Sequence, residues 1–560
     1  MNVIIRGGEV VDGTGAEPVR ADVRVTDGRI SEIGPSLRPD GERQVDASGA
    51  YVTPGFIDIH THFDASLFWD PACDPMPQHG VTSILTSSCS QSLAPCRADR
   101  RDELVALLCY IEDLPEDAVS AALPWTWTTY GEMLDTYDAG RYAVNVGGMV
   151  GHTPLRLYVM GDEAWERAAS DDERAQIAAL AGESIDAGAF GLSASIGFDE
   201  DRAKRPVPGR LADDAEFDAL IDVLADRGRF MQFISDPHQR RTAASVTRMA
   251  RLCGRRKLTN TWINVMYDDQ APDHALSLLD LAAELQAEGS PTYPQFSPRP
   301  VDIQVNWFGG MSFMNMRNTW QPMVQTMDPA AKAQMLQDES WRAAARDEWE
   351  RVKFTMIRHH RPELIRLVSV TRPEHEPWLN RTFDELVAER GGHPSDVMAD
   401  WVLANDLRPG IVGTAIGNGD ADGVAALLNH PAAVIANSDA GAHVQMFCAA
   451  GDTTLLLTRF VRDRADMTIG TAIHRLTGQL GSRFGFVDRG EVRVGAIADL
   501  NVFSLDELAW EREVFVADIP GGARRLRRPP GGYRTTMVGG VATQESGDLT
   551  GAMPGRLLRR

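Results

Sequence analysis

Between residues 54 and 480 the chain alternates short apolar runs with helical patterns, and no other feature restricts its fold as strongly. The runs are "GFIDIHTH", "GVTSILTSS", "YAVNVGGMVGH", "GAFGLSASIG", "GRFMQFISD", "LTNTWINVM", "IRLVSV" and "AAVIANSDA". Helical stretches such as "ERAQIAALAGESIDAG" and "AEFDALIDVLADRG" separate several of them. Eight strands with helices between predict an α/β fold, a TIM-like (β/α)8 barrel. A Rossmann-type sheet is the weaker choice, because no GxGxxG follows a strand. A helical segment within about 300–360 precedes the seventh run and reads as an insertion, either a lid, a wall over the barrel mouth or a packed helical layer.

The two ends have a different texture. "NVIIRGGEVVDG" and "ADVRVTDGRISEIG" near the start, and "VRVGAIADLNVFSL" and "YRTTMVGGVATQ" near the end, alternate polar with apolar residues and break at Gly and Asp. Neither end is long enough to bury a core alone. The expectation is a small composite β-sandwich built from residues 1–53 and 481–560, with the barrel of 54–480 inserted between its halves.

Composition narrows the function. With 79 acidic against 56 basic residues the net charge is −23, which repels phosphate backbones and anionic membranes, so no nucleic acid and no membrane partner is expected. No stretch reaches the roughly 18 apolar residues of a membrane span. Six cysteines without a CxxC are no disulfide framework in a chain of 560 residues, which predicts a reduced, cytoplasmic protein. Lysines are confined to Lys204, Lys257, Lys332 and Lys353, which removes lysine chemistry from almost everywhere else. Oligomeric state is not legible from spacing.

Barrel enzymes carry their chemistry at the C-terminal ends of the strands. The first strand ends at His60 and His62, which point the same way if the run is extended. The second ends near Cys89, and the last at Asp439. Closing the barrel brings strands 8, 1 and 2 together, so two imidazoles, a thiolate and a carboxylate converge on a plausible zinc environment. Singly, each has an ordinary role: paired core histidines, a small buried cysteine, an aspartate capping the next helix. Joint placement is what points to metal.

These residues also carry a resemblance. "PGFIDIHTHFD" resembles the first-strand signature of the amidohydrolase superfamily. "SSCSQSLAP" (87–95), "GHTPLR" (151–156), "GAFGLSASIG" (188–197) and "NSDAGAH" (437–443) are similar to the N-acyl-D-amino-acid deacylases, the D-aminoacylase group, and the likeness runs nearly end to end. It implies hydrolysis of the amide of an N-acyl amino acid, with His60 and His62 as metal ligands. Cys89 would be the ligand used in place of a carboxylated lysine, and Asp439 the catalytic aspartate and a further ligand.

Two departures from the family pattern stand out. Its histidines at the ends of strands 5 and 6 are missing from "RFMQFISDPH" and "KLTNTWINVM"; Asp236 and His238 lie just past strand 5 but do not match as replacements. One zinc ion rather than two is therefore expected. Serines replace the usual glycines around Cys89, where they would crowd or hydrogen-bond the thiolate. His152 at the end of strand 3 is a candidate oxyanion donor, Arg156 and Arg372 are candidates to grip a substrate carboxylate, and His443 is a candidate pocket residue. The same scaffold would also serve a cyclic amide, a carbamoyl group or a non-hydrolytic lyase step. A metal-free binding protein is the remaining alternative, disfavoured because a scaffold needs no converging ligands.

Overall fold

The computed structural model describes residues 2–236, 239–353, 356–436 and 438–560, apart from the side chains of 239 and 240. His238, singled out above, lies outside the described residues.

Strands from both ends of the chain share one nine-stranded sheet. Tyr51–Pro54 is its hinge point: it runs parallel to Val3–Val10 on one side and antiparallel to Leu500–Phe503 on the other. The sheet buries Val3, Ile5, Val23, Val25 and Val52 from the start with Leu500, Val502 and Met537 from the end. Side chains at alternate positions point to one face, so two half-patterns that bury little alone complete each other.

One residue past this sheet, Phe56–Asp58 opens a set of parallel strands. A three-stranded sheet joins Phe56–Asp58, Val81–Thr86 and Asn145–Gly148. A six-stranded sheet joins Val150–Gly151, Gly191–Ser195, Phe230–Ile234, Asn260–Val265, Thr292–Phe296 and Val434–Ile435. The third extended run changes sheets at Met149, whose N–H donates to Thr86. Past the last strand, His62 N–H donates to Ala440 O at 2.7 Å and Asp439 N–H to His60 O at 3.1 Å. Strand residues here are buried on both faces, as parallel strands covered by helices require.

The seventh strand is not the one expected. Ile365–Ser369 pairs antiparallel with Gly410–Gly413, which also pairs with Ile303–Gln304. Its alternate residues are exposed, the mark of a sheet with one wet face. The parallel position next to the last strand belongs to Thr292–Phe296. Pro294 hides this strand in the sequence, because proline cannot donate to a central ladder; the pairing register shifts just after its partner Trp262 and absorbs the defect.

The helical segment expected before the seventh strand consequently lies after Thr292–Phe296 and before Val434–Ile435. It carries its own apolar cluster, from Val305 to Ile411, built around Trp307, Phe313, Trp320, Trp349 and Trp401. It touches the parallel-strand unit through Asn306, which donates to Asp113 at 2.9 Å, and Arg317, 2.8 Å from Glu200.

Candidate metal centre

The first pair of functional side chains is set by strand periodicity. Asp58 ends the strand and accepts the N–H of His60. Thr61 turns outward, giving both its N–H and its hydroxyl to Leu85 O on the neighbouring strand. His60 and His62 therefore face the same way, with ring centroids 5.5 Å apart, and both are buried.

Cys89 lies just beyond Val81–Thr86 in a tight turn. Ser87, Cys89 and Ser90 all have positive φ, of 64°, 57° and 70°, a region that residues other than glycine seldom occupy. The turn is held by its serines. Ser87 donates to the buried Asp64, Ser90 N–H donates to Ser193 at 3.0 Å, and Ser90 Oγ bonds Thr153 at 2.9 Å. These hydroxyls fasten the turn and do not occupy the thiol. The thiol faces His60 instead, with Sγ 3.2 Å from Nε2.

Asp439 reaches the same place from the last strand, with Oδ1 3.1 Å from His62 Nε2 and 3.6 Å from His60 Nε2. Its backbone is also left-handed, at φ 67°, as is that of His443 at 51°. Such strain persists where the surroundings over-determine it, and it clusters at functional sites. A quarter of the Asp439 side chain is reachable from outside, whereas His60, His62 and Cys89 are enclosed. The centre thus opens on its carboxylate side.

Outer groups fix how the donors point. His60 Nδ1–H donates to Gln295 Oε1 at 2.7 Å, which leaves the Nε2 lone pair directed at the point where Cys89 and Asp439 also meet. Gln232 accepts the Cys89 N–H at 3.0 Å. These glutamines come from strands Thr292–Phe296 and Phe230–Ile234. The strand Phe230–Ile234 thus turns an amide toward the Cys89 backbone, and Asn260–Val265 buries Trp262. On the other side Glu112 lies 3.3 Å from His62 Nδ1 and 3.8 Å from His443 Nε2.

Electrostatics divide the pair. Burial pushes His60 down to about 4. Burial also disfavours the charge on His62, but Glu112 and then Asp439 outweigh it and raise that imidazole to about 9. Burial lifts Glu112 above the ordinary carboxylate range against the opposing pull of His62, and lifts the Cys89 thiol well above its own, with the nearby carboxylates adding to both. Burial opposes the Asp439 charge, but His62 more than compensates and holds it well below the ordinary carboxylate range.

A surplus of negative groups around two imidazoles and a thiol is the environment of a cation. Among the described residues, His60, His62 and Cys89 form the one group of such donors lying within 4.8 Å of one another. Both ring nitrogens of His62 are buried without an aligned hydrogen-bond partner. Buried polar atoms are rarely left so unless a ligand completes them, and the donor chemistry suits zinc.

The other expected residues lie elsewhere. His152 and Arg156 form a buried cluster with Glu216: His152 Nε2 is 2.6 Å from Oε1, Arg156 pairs with Oε2, and Arg156 also donates to Arg167 O at 2.7 Å. This cluster pins helix His152–Met160 to helix Asp214–Asp226. Arg372 is half-exposed on the insertion, paired with Asp406 at 2.6 Å. His443 does join the site, with Nε2 3.8 Å from Asp439 Oδ2. Sequence reasoning missed Glu112, Gln232 and Gln295. Glu112 ends an ordinary amphipathic helix pattern, and the glutamines look like any polar strand residue.

Residues 43–543 match the model of the amidohydrolase family. The chain therefore belongs to that family and is a hydrolase of carbon–nitrogen bonds other than peptide bonds. Within it, the chain is related to the N-acyl-D-amino-acid deacylases. It is 27% identical to the N-acyl-D-aspartate deacylase of Alcaligenes xylosoxydans xylosoxydans, over 89% of this chain and 85% of that one. An uncharacterized protein of Mycobacterium tuberculosis (strain ATCC 25618 / H37Rv) is 30% identical over 98% of this chain and 93% of its own. A crystal structure of N-acyl-D-glutamate deacylase from Bordetella bronchiseptica, complexed with zinc and a phosphonate mimic of the tetrahedral intermediate, shares the fold. Its TM-score is 0.67 at 24% identity, covering 100% of this chain and 99% of that one.

Proposed function

We propose that the protein hydrolyses the amide bond of an N-acyl amino acid, of the D series, using one zinc ion. The observation that carries this is the convergence of His60 Nε2, His62 Nε2, Cys89 Sγ and Asp439 Oδ1 at one buried point that opens on the Asp439 side. The relationship to the D-amino-acid deacylases supports the substrate class.

His60, His62 and Cys89 would hold the ion, with Asp439 Oδ1 at its edge. A bound zinc ion polarises an amide carbonyl and lowers the pKa of water from 15.7 toward about 7. The protein's own part is proton handling. Asp439 takes a proton from the attacking water at Oδ2 and returns it to the departing nitrogen. His443 stands beside Oδ2 and orients it. The enclosure of the histidines excludes bulk water and strengthens each of these contacts. The products are a carboxylate and a free amino acid.

One ion is favoured over two because the strands Phe230–Ile234 and Asn260–Val265 carry no histidine. The two parallel sheets are read as arcs of a (β/α)8 barrel over 54–480, joined where His62 meets Ala440. The nine-stranded sheet is read as the composite domain of 1–53 and 481–560. Six free cysteines support a reduced compartment, and among the described residues no helix is long and apolar enough to cross a membrane. The acidic net charge favours a small-molecule substrate over nucleic acid.

The test is a panel of N-acyl-D- and N-acyl-L-amino acids, assayed for released amine with metal-analysed wild type and His60→Ala. Amine released by the wild type alone, from D substrates, is expected. A wild type that holds zinc yet releases no amine from any member would overturn the substrate class.

A further inference from the structure

Glu112 has no task in that chemistry, yet its place runs against local forces. It follows the C-terminal end of helix Arg101–Ile111, where the helix dipole disfavours negative charge. Its carboxylate is almost wholly enclosed, and burying a carboxylate is costly unless something needs it there. What it meets is specific. Oε1 is 3.3 Å from His62 Nδ1, Oε2 is 3.8 Å from His443 Nε2, and its backbone oxygen accepts the His443 N–H at 2.5 Å. Asp439 faces the other nitrogen of His62, at 3.1 Å, and the same Nε2 of His443, at 3.8 Å. Two carboxylates and two imidazoles thus alternate around a ring.

The ring is not relaxed. His62 Nδ1, His62 Nε2 and Glu112 Oε1 are all buried without an aligned hydrogen bond. His60 has Gln295 to settle its tautomer, and Glu112 Oε1 stands 3.3 Å from the corresponding nitrogen of His62. We propose that Glu112 is a positioning residue: it accepts the Nδ1–H of His62 and turns the Nε2 lone pair toward the point shared with His60, Cys89 and Asp439. This rests on the metal reading above. A carboxylate behind a ligating imidazole fixes its orientation and makes it a stronger donor. A neutral amide behind His60 does less, so the two histidines bind with unequal strength.

The test compares wild type, Glu112→Gln, His62→Gln and the double variant by competition of zinc with a chelator at fixed pH. Absorption at saturating cobalt(II) is the second readout. The isosteric Glu112→Gln is expected to weaken zinc binding by roughly 10–100-fold and to shift the cobalt bands. The same change in the His62→Gln background is expected to cost almost nothing and to leave the bands where His62→Gln alone puts them. Equal effects in both backgrounds, or none in either, would overturn the role of Glu112 while leaving the metal reading intact. A wild type that takes up no zinc or cobalt would instead sink the metal reading, and this inference with it.

Discussion

The Sγ of Cys89 lies 3.2 Å from the Nε2 of His60, at the ends of adjacent parallel strands. That contact makes the thiol part of the histidine centre and not a packing residue. Cys89→Ser and His60→Ala are each expected to lower zinc content from about one ion per chain toward zero, with activity falling by more than about a hundredfold. Metal analysis of dialysed protein beside the amine assay checks both.

Zinc uptake is expected to strengthen as pH rises. Without the ion His62 holds its proton up to about 9, and burial keeps the Cys89 thiol protonated well above its ordinary range. Binding must displace those protons. The apparent dissociation constant should fall by about tenfold per pH unit for each proton released, between pH 6 and 9. Chelator competition across that range measures it; a flat profile would contradict the assignment of these ligands.

Asp439→Asn keeps the shape of the side chain but removes the proton acceptor. The expected outcome is a loss of kcat of roughly 10²–10⁴-fold with zinc retained. Arg372→Ala is the companion control: its partner is Asp406 at the insertion surface, so kcat and KM should stay at wild-type values.

Gly441 has φ +91°, and a Cβ there would lie 2.7 Å from the His62 carbonyl carbon. Gly441→Ala forces the last strand's loop off the first strand. A destabilisation of about 1–3 kcal/mol and weaker zinc binding are expected together, read by denaturant melts and chelator competition. Stability lost without any change in zinc affinity would argue that His62 is placed by its own strand alone.

Glu216 gives an acid limb to stability. Burial raises its pKa, but His152 and then Arg156 overcome this and hold it at about 2, against an ordinary 4.5. A depressed folded pKa stabilises fully above the unfolded value and is lost as pH falls through the folded one. The contribution, about 3 kcal/mol, should therefore be present at pH 7 and disappear between pH 4.5 and 2. Glu216→Gln should remove it at pH 7 and flatten that limb in urea melts.

Much of this was legible in the chain. His60 and His62 are two apart on a strand, and period-two geometry alone put them on one face. Cys89 and Asp439 were found because they stand at strand ends, where parallel α/β enzymes keep their chemistry. The seventh strand was misread because Pro294 breaks its pattern, while "IRLVSV" looks apolar enough to be central although every other side chain there meets water. Arg156 looked like a substrate clamp because a sequence shows its charge and not Glu216, which neutralises it from sixty residues away.

What the sequence determined by itself is local: the direction in which neighbouring side chains point along a strand, the type of donor each carries, and the family signature they spell. What tertiary structure decided is which distant groups share one enclosed volume. Glu112, Gln232 and Gln295 carry no local mark. Their meaning comes from the His62, Cys89 and His60 atoms they face, and contact between residues far apart in the chain exists only once the strands are assembled.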